Sequence, residues 1–244
     1  MTRLLVQGAS GRLGQIIFRL GQQSDNWNVI ASEKGAALEP LVETTDVSID
    51  VSVPEASVQL ALLCARHGKP LVIGTTGHSD AQLRSIETAS AACPVLLAPN
   101  FSVGVNLLFW LTRETAKVLG GSFDAEVIEM HHGMKKDAPS GTAKRIAEIV
   151  ADVRSFTYDD VARHGRQGMV GQRSSQEIGM HAVRGGSVVG EHTVVFAGEG
   201  ERIELIHRAA SRDTFAHGAL RAARWLVGQA PGRYDMQDVL GLKP

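Results

Sequence analysis

Apolar positions in the first hundred residues come in short runs, each followed by a stretch with helical spacing. Leu4 to Gln7 predicts a buried strand, and Leu13, Ile16, Ile17 and Leu20 lie on one face of a helix. Val29–Ser32 and Val47–Val53 predict the second and third strands, the latter ended by Pro54. A helix over about Glu55–His67, a strand over Pro70–Ile73, a helix over Asp80–Ala92 and a strand over Pro94–Ala98 continue the alternation. Strands and helices of these lengths in turn imply βαβ units and a parallel sheet, with ligands at the carboxyl ends of its strands.

The rhythm changes after Asn100. Val103–Leu119 predicts a long amphipathic helix, Phe123–His131 alternates as a strand, and Gly141–Val153 reads as helix. Residues 155–175 are polar and glycine-bearing and read as a loop. His192–Ala197 and Arg202–His207 predict two strands joined by a turn at Gly198-Glu199-Gly200-Glu201. Thr214–Val227 is a last helix, expected to return to the first domain. The expected architecture is α/β: an N-terminal parallel-sheet domain from residues 1–103 and 213–244, and an α+β mixed-sheet domain over 104–212.

Composition narrows the function classes. Of 244 residues, 43% are hydrophobic and 21% charged, which is an ordinary globular balance, and the formal net charge is -1. No global field draws nucleic acid or an anionic membrane, so any anion must be recognised locally. No apolar run approaches the ~20 residues of a membrane helix, and the N-terminal run is too short for a signal peptide. Two cysteines, Cys64 and Cys93, make no disulfide framework, so a cytoplasmic setting is expected.

Glycines 8, 11 and 14 follow the first strand and open the first helix. A tight turn, close approach of a pyrophosphate and close helix packing all demand residues without Cβ. The helix N-terminus then offers N–H groups and partial positive charge to phosphates. Glu33 stands at the end of the second strand, where a carboxylate can bind a ribose hydroxyl, while Lys34 and Arg12 suit a 2′-phosphate. NADH and NADPH are both expected to serve, with NADH favoured.

The densest chemistry is Glu129-Met130-His131-His132-Gly133-Met134-Lys135-Lys136-Asp137-Ala138-Pro139-Ser140-Gly141-Thr142-Ala143, at a strand end and a helix start. Ser140 or Thr142 suits the helix cap. The N–H groups of Gly141 and Thr142 suit a carboxylate, Lys135 adds a point charge, and a histidine can exchange protons near neutral pH. Adjacent strand residues face opposite ways, so His131 and His132 are not expected to share a task. No metal site is expected, because neither HExxH nor paired cysteines occur. From residue types alone, the cluster reads equally well as a solvated loop.

This stretch closely resembles the signature of the 4-hydroxy-tetrahydrodipicolinate reductase family. Gly8 to Gly14 resembles that family's cofactor loop, and Gly74-Thr75-Thr76-Gly77 its next cofactor segment. Ala98-Pro99-Asn100-Phe101-Ser102-Val103-Gly104-Val105-Asn106 resembles its domain junction; Val189-Gly190-Glu191-His192-Thr193 and Gly200-Glu201-Arg202-Ile203-Glu204 resemble its late strands.

The resemblance implies a Rossmann domain and a mixed-sheet domain that binds substrate and assembles homotetramers. It implies that His131 and Lys135 are catalytic and that His132, Ser140, Gly141 and Thr142 bind a cyclic imine with two carboxylates. It implies that Gly8, Ala9, Ser10, Gly11, Arg12, Leu13, Glu33, Lys34, Gly74, Thr75, Thr76, Ala98, Pro99, Asn100 and Phe101 hold the nicotinamide dinucleotide. Two departures stand out. Gly133-Met134 replaces an Arg-His pair common between the second histidine and the lysine, and Ser52-Val53-Pro54 lacks an arginine common at the third-strand end. The second departure favours NADH.

Two rivals remain at this point. One is a Rossmann dehydrogenase of another small acid; a semialdehyde dehydrogenase would need a cysteine nucleophile, whereas Cys64 and Cys93 sit in core-like contexts. The other is a non-catalytic nicotinamide sensor, which has no use for a His-Lys cluster beside a carboxylate pocket.

Overall fold

The computed structural model describes residues 1–32 and 35–243. The chain divides into two compact units, Met1–Val103 with Arg212–Pro244, and Gly104–Ser211.

The first unit alternates β1 (Thr2–Gln7), α1 (Arg12–Gln22), β2 (Trp27–Ser32), α2 (Leu38–Thr44), β3 (Val47–Asp50), α3 (Pro54–Arg66), β4 (Leu71–Ile73), α4 (Asp80–Ser90) and β5 (Pro94–Leu97). The strands make one sheet with β11 (Gly232–Tyr234), in the order β11-β5-β4-β3-β1-β2, and every pairing is parallel. The Rossmann expectation is borne out. Strand order reverses at β1 and β3, where open α/β sheets hold their ligands.

Both faces are covered, which is why β3 is buried along its whole length. One core joins Leu4, Val6, Ile17, Ile49 and Leu96 to a helix near the chain end, α8 (Asp213–Leu226). Its small residues Ala216, Ala219, Ala222 and Ala223 are buried there, and a Cβ on Gly218 would come within 1.9 Å of the Phe101 carbonyl oxygen. The other core gathers Leu5, Leu60, Cys64, Leu71, Ile73, Ile86 and Cys93 under α3 and α4. Burial holds the Cys64 thiol up at about 12 and the Cys93 thiol at about 11, so neither offers a thiolate.

The second unit begins with α5 (Val103–Leu119), then β6 (Asp124–His131) and α6 (Gly141–Val153). Next come α7 (Tyr158–Val161), β7 (Ala162–His164), β8 (Ile178–Arg184), β9 (Gly190–Ala197) and β10 (Arg202–Ala209). The sheet order is β10-β9-β6-β8-β7, with β6, β8 and β7 parallel and β9 and β10 antiparallel. This is the expected mixed sheet. Val127, Val194, Phe196, Ile178 and Met180 point to one face and pack with Leu108, Ala116, Ile146 and Val150 of the helices.

Four details differ from the sequence expectation, the first being α2, which the apolar pattern did not predict. The stretch 155–175 holds α7 and β7, and β8 follows where no strand was expected. The rest of that stretch is tied down by charge: Arg166 and Arg173 both bond Glu126, and Arg173 also reaches Asp124. Near the end, the short β11 and α9 (Met236–Val239) complete the first unit.

Candidate active site

In the first unit, the loop after β1 turns through Gly8 at φ +85°. A Cβ there would meet the Val51 carbonyl oxygen at 2.6 Å, and one at Gly14 would meet the Gly8 carbonyl oxygen at 2.1 Å. Only glycine closes this turn against β3 and draws α1 onto it. Helix α1 begins at Gly11 with no side-chain cap and no acidic residue in its first turn. That leaves its opening N–H groups and positive end for an anion. Ser10, Gly11 and Arg12 are exposed, while Ala9 and Leu13 are half-buried. This cradle fits the pyrophosphate of a dinucleotide.

Segments 74–76 and 98–101 follow β4 and β5, so both lie at the same sheet edge. They touch one another, since a Cβ on Gly74 would strike the Phe101 ring at 2.3 Å. Phe101 is 2% exposed and belongs to the core; its ring is structural, and any ligand contact falls to its backbone. Pro99 and Asn100 are the more open members. Glu33 and Lys34 lie outside the described residues.

Sequence reasoning missed the support of Thr75. Asp50 is fully buried at the end of β3 and accepts from Thr75 Oγ1 at 2.6 Å and from the Ser52 hydroxyl. Thr75 Oγ1 in turn accepts from the Ser52 amide at 2.9 Å. Thr75→Val strips both bonds and takes one of two hydroxyl donors from the buried Asp50 carboxylate. We expect its Kd for the dinucleotide to rise about 10-fold and Thr75→Ser to restore it; titration by quenched fluorescence measures both.

In the second unit, His131 ends β6, and Lys135 sits four residues on, its amide bonded to the His132 carbonyl at 3.1 Å. Lys135 Nζ reaches both Asp137 oxygens at 2.8 and 2.9 Å. Ser140 caps α6, its Oγ accepting from the Ala143 amide at 3.2 Å. The same Oγ lies 3.0 Å from His192 Nε2, so the hydroxyl is already engaged, and Ser140 is 3% exposed. Gly141 and Thr142 open the helix with their N–H groups. His132 is half-buried beside this turn, its amide bonded to the Val188 carbonyl.

Behind these residues stands Glu129, 1% exposed. Its carboxylate takes His131 Nδ1 at 2.6 Å, Arg184 twice at 2.8 Å and the Ser140 amide at 3.0 Å. Burial alone would push this carboxyl up; the bonds from Arg184, His131 and Ser140 outweigh it and hold it below the ordinary glutamate value. Burial pushes His131 down, with Glu129 pulling it partly back. Alternation on β6 puts Glu129 on the face of His131, a signal the sequence does carry. Arg184 arrives from β8, opposite His131 in the parallel register.

His192 lies edge-on to His131, centroids 5.2 Å apart. Burial first, then the His131 charge, brings it down to about 3. The unfolded chain therefore binds a proton that the fold refuses between about 6.5 and 3, so stability falls as pH drops through that window. His131 and His207 are lowered too and act in the same direction. His192→Gln should flatten the slope of stability with pH by up to about 1.4 kcal/mol per pH unit, measured by urea unfolding at pH 7 and 5.

Comparison with known proteins gives the family. A family model described as the N-terminus of dihydrodipicolinate reductase matches residues 2–101, and its C-terminal counterpart matches 104–240. The chain belongs to the dihydrodipicolinate reductase family. It is 51% identical to the 4-hydroxy-tetrahydrodipicolinate reductase of Akkermansia muciniphila over 99% of both chains, and 47% identical to that of Hahella chejuensis over the full length of both. A dipicolinate-bound dihydrodipicolinate reductase from Paenisporosarcina sp. TG-14 is similar with a TM-score of 0.76 and 25% identity, over 98% of each chain. Members of this reductase family are oxidoreductases that use a nicotinamide dinucleotide.

Proposed function

We propose that this chain reduces 4-hydroxy-tetrahydrodipicolinate to tetrahydrodipicolinate with a nicotinamide dinucleotide, the 4-hydroxyl leaving as water, in the diaminopimelate route to lysine. The observation that carries the reading is the Glu129-held His131, with Lys135 and the Ser140-capped start of α6, in a chain half identical to reductases of that name. The substrate has two carboxylates, and the start of α6 suits one of them.

Each residue then has a task. The amides of Gly141 and Thr142 hold a substrate carboxylate, and His132 contributes beside them. Ser140 sets the start of the helix through its cap. Lys135 Nζ neutralises a carboxylate and donates a proton to the ring. His131 exchanges a proton through the nitrogen that Glu129 leaves free. In the first unit, Gly8 to Leu13 cradle the pyrophosphate, and Gly74 to Thr76 and the backbone of Ala98 to Phe101 border the nicotinamide. The bound dinucleotide supplies the reducing hydride. Glu33 takes the adenosine ribose, on sequence grounds, which favours NADH; Glu33→Ala should weaken NADH more than NADPH.

Assembly as a homotetramer through the second unit fits the free face of its sheet. Ile128, Val183 and Ile206 point away from the helices and are 38%, 43% and 44% exposed, and both Ile128 and Ile206 flank Thr193. Light scattering should give four chains per particle. Among the described residues no helix is long and apolar enough to cross a membrane.

The test is nicotinamide absorbance, with substrate made in the cuvette from pyruvate and aspartate semialdehyde by the condensing synthase. Oxidation of NADH and of NADPH, NADH the faster, is expected. Bound but unoxidised cofactor would favour the sensor.

A further inference from the structure

The catalytic assignments name His131 and Lys135 but leave open what holds them. His131 is faced by charged or titratable groups from four directions: Glu129 on its own strand, Arg184 from β8, His192 from β9, and Lys135 from the following turn. Glu129 is at the centre. Oε1 accepts from Arg184 Nη2 and the Ser140 amide, while Oε2 accepts from Arg184 Nη1 and His131 Nδ1. Four donors saturate one buried carboxylate, and an ionised carboxylate has no proton to give back. The hydrogen on the His131–Glu129 axis therefore belongs to Nδ1. Arg184 does a second thing: its Nη2 also donates to the Asp137 carbonyl at 2.7 Å, and Asp137 is the residue that pairs with Lys135.

We propose that Glu129 and Arg184 are positioning residues for the reduction: Glu129 fixes the proton of neutral His131 on Nδ1, leaving Nε2 as the nitrogen that exchanges protons, and Arg184 ties that pair to the segment carrying Lys135. This deepens the reductase reading and rests on it for the identity of the reaction. Gly190 supports the same geometry. A Cβ there would stand 3.0 Å from His131 Nε2, so glycine keeps the working nitrogen clear. Arg184 keeps Glu129 ionised, since a lone buried carboxylate would take up a proton instead.

The first test needs no substrate. A long-range proton–nitrogen spectrum of the ¹⁵N-histidine-labelled protein at pH 8, with His131→Asn for assignment, reads the tautomer. A protonated Nδ1 and bare Nε2 are expected; a protonated Nε2 overturns the proposal.

The second test uses Glu129→Gln, Arg184→Lys and Gly190→Ala. Glu129→Gln should lower kcat about 10²-fold with KM for NADH unchanged. It should move the acid limb of the kcat profile to lower pH, because burial then acts on His131 without an opposing charge. Gly190→Ala should lower kcat with the limb unmoved. Arg184→Lys keeps one bond to Glu129 and should recover part of the rate that Arg184→Met loses. An unmoved limb and unchanged kcat in Glu129→Gln, or full activity in Gly190→Ala, would overturn the assignment. Should Glu129→Gln fail to fold, the tautomer and Gly190→Ala still decide. A wild type with the expected tautomer but no turnover would instead sink the reductase reading.

Discussion

Lys135→Ala lowers kcat by about 10²–10⁴-fold and leaves dinucleotide affinity unchanged. The size follows from two losses at one atom. Nζ is a proton donor and a point charge, and alanine removes both. The lysine is only 20% exposed, held against Asp137 at 2.8 Å, so its charge is poorly screened and already oriented. Asp137 is 64% exposed, and its carboxyl is held low chiefly by the Lys135 bond. A substrate carboxylate can compete with it for Nζ. Lys135→Arg keeps the charge on a group that does not release protons at neutral pH, and it should restore KM while leaving kcat low. Steady-state kinetics with fluorescence titration of NADH separates the two. Full turnover in Lys135→Ala would remove the lysine from the mechanism.

Gly14→Ala abolishes dinucleotide binding at concentrations that saturate the wild type. An added methyl would lie 2.1 Å from the Gly8 carbonyl oxygen and 2.8 Å from Ala9 Cα. Both are backbone atoms, so nothing flexible can yield; α1 must move away from the loop, and its N-terminus with it. Overpacking of this kind costs about 1–3 kcal/mol in stability, which a first unit with two buried cores absorbs. The displaced amides lose the phosphate. Gly11→Ala, with its nearest contact at 3.3 Å, should do much less. Calorimetric titration of both variants with NADH checks the ranking, and equal affinity in Gly14→Ala would refute the cradle.

These two sites were legible because each is written contiguously. Gly8 to Gly14 and His131 to Thr142 carry their chemistry within one turn, and the strand–loop–helix pattern around them placed each at a strand end. Beyond Glu129, what supports them was not legible. Arg184 meets Glu129 only through the parallel pairing of β6 and β8, and Ile178–Arg184 follows a polar, glycine-bearing stretch that masks its strand character. Asp50 reads as the polar end of an apolar run; that it holds Thr75 depends on β3 and β4 being neighbours. Phe101 carries a packing role that its motif did not announce: its ring lies under Gly74, and its carbonyl lies against Gly218. The short β11 has too few residues to declare itself and exists through its pairing with β5.

The central claim is that hydride passes from the nicotinamide to the ring of a dicarboxylate imine on this chain. NADH carrying deuterium at C4, prepared separately with the label on each face, tests it directly when the product is weighed by mass spectrometry. Tetrahydrodipicolinate one mass unit heavier from one labelled form and unlabelled from the other is the expected result, formed at least about 10²-fold more slowly by Lys135→Ala. NADH oxidation that leaves the product unlabelled from both forms would contradict it.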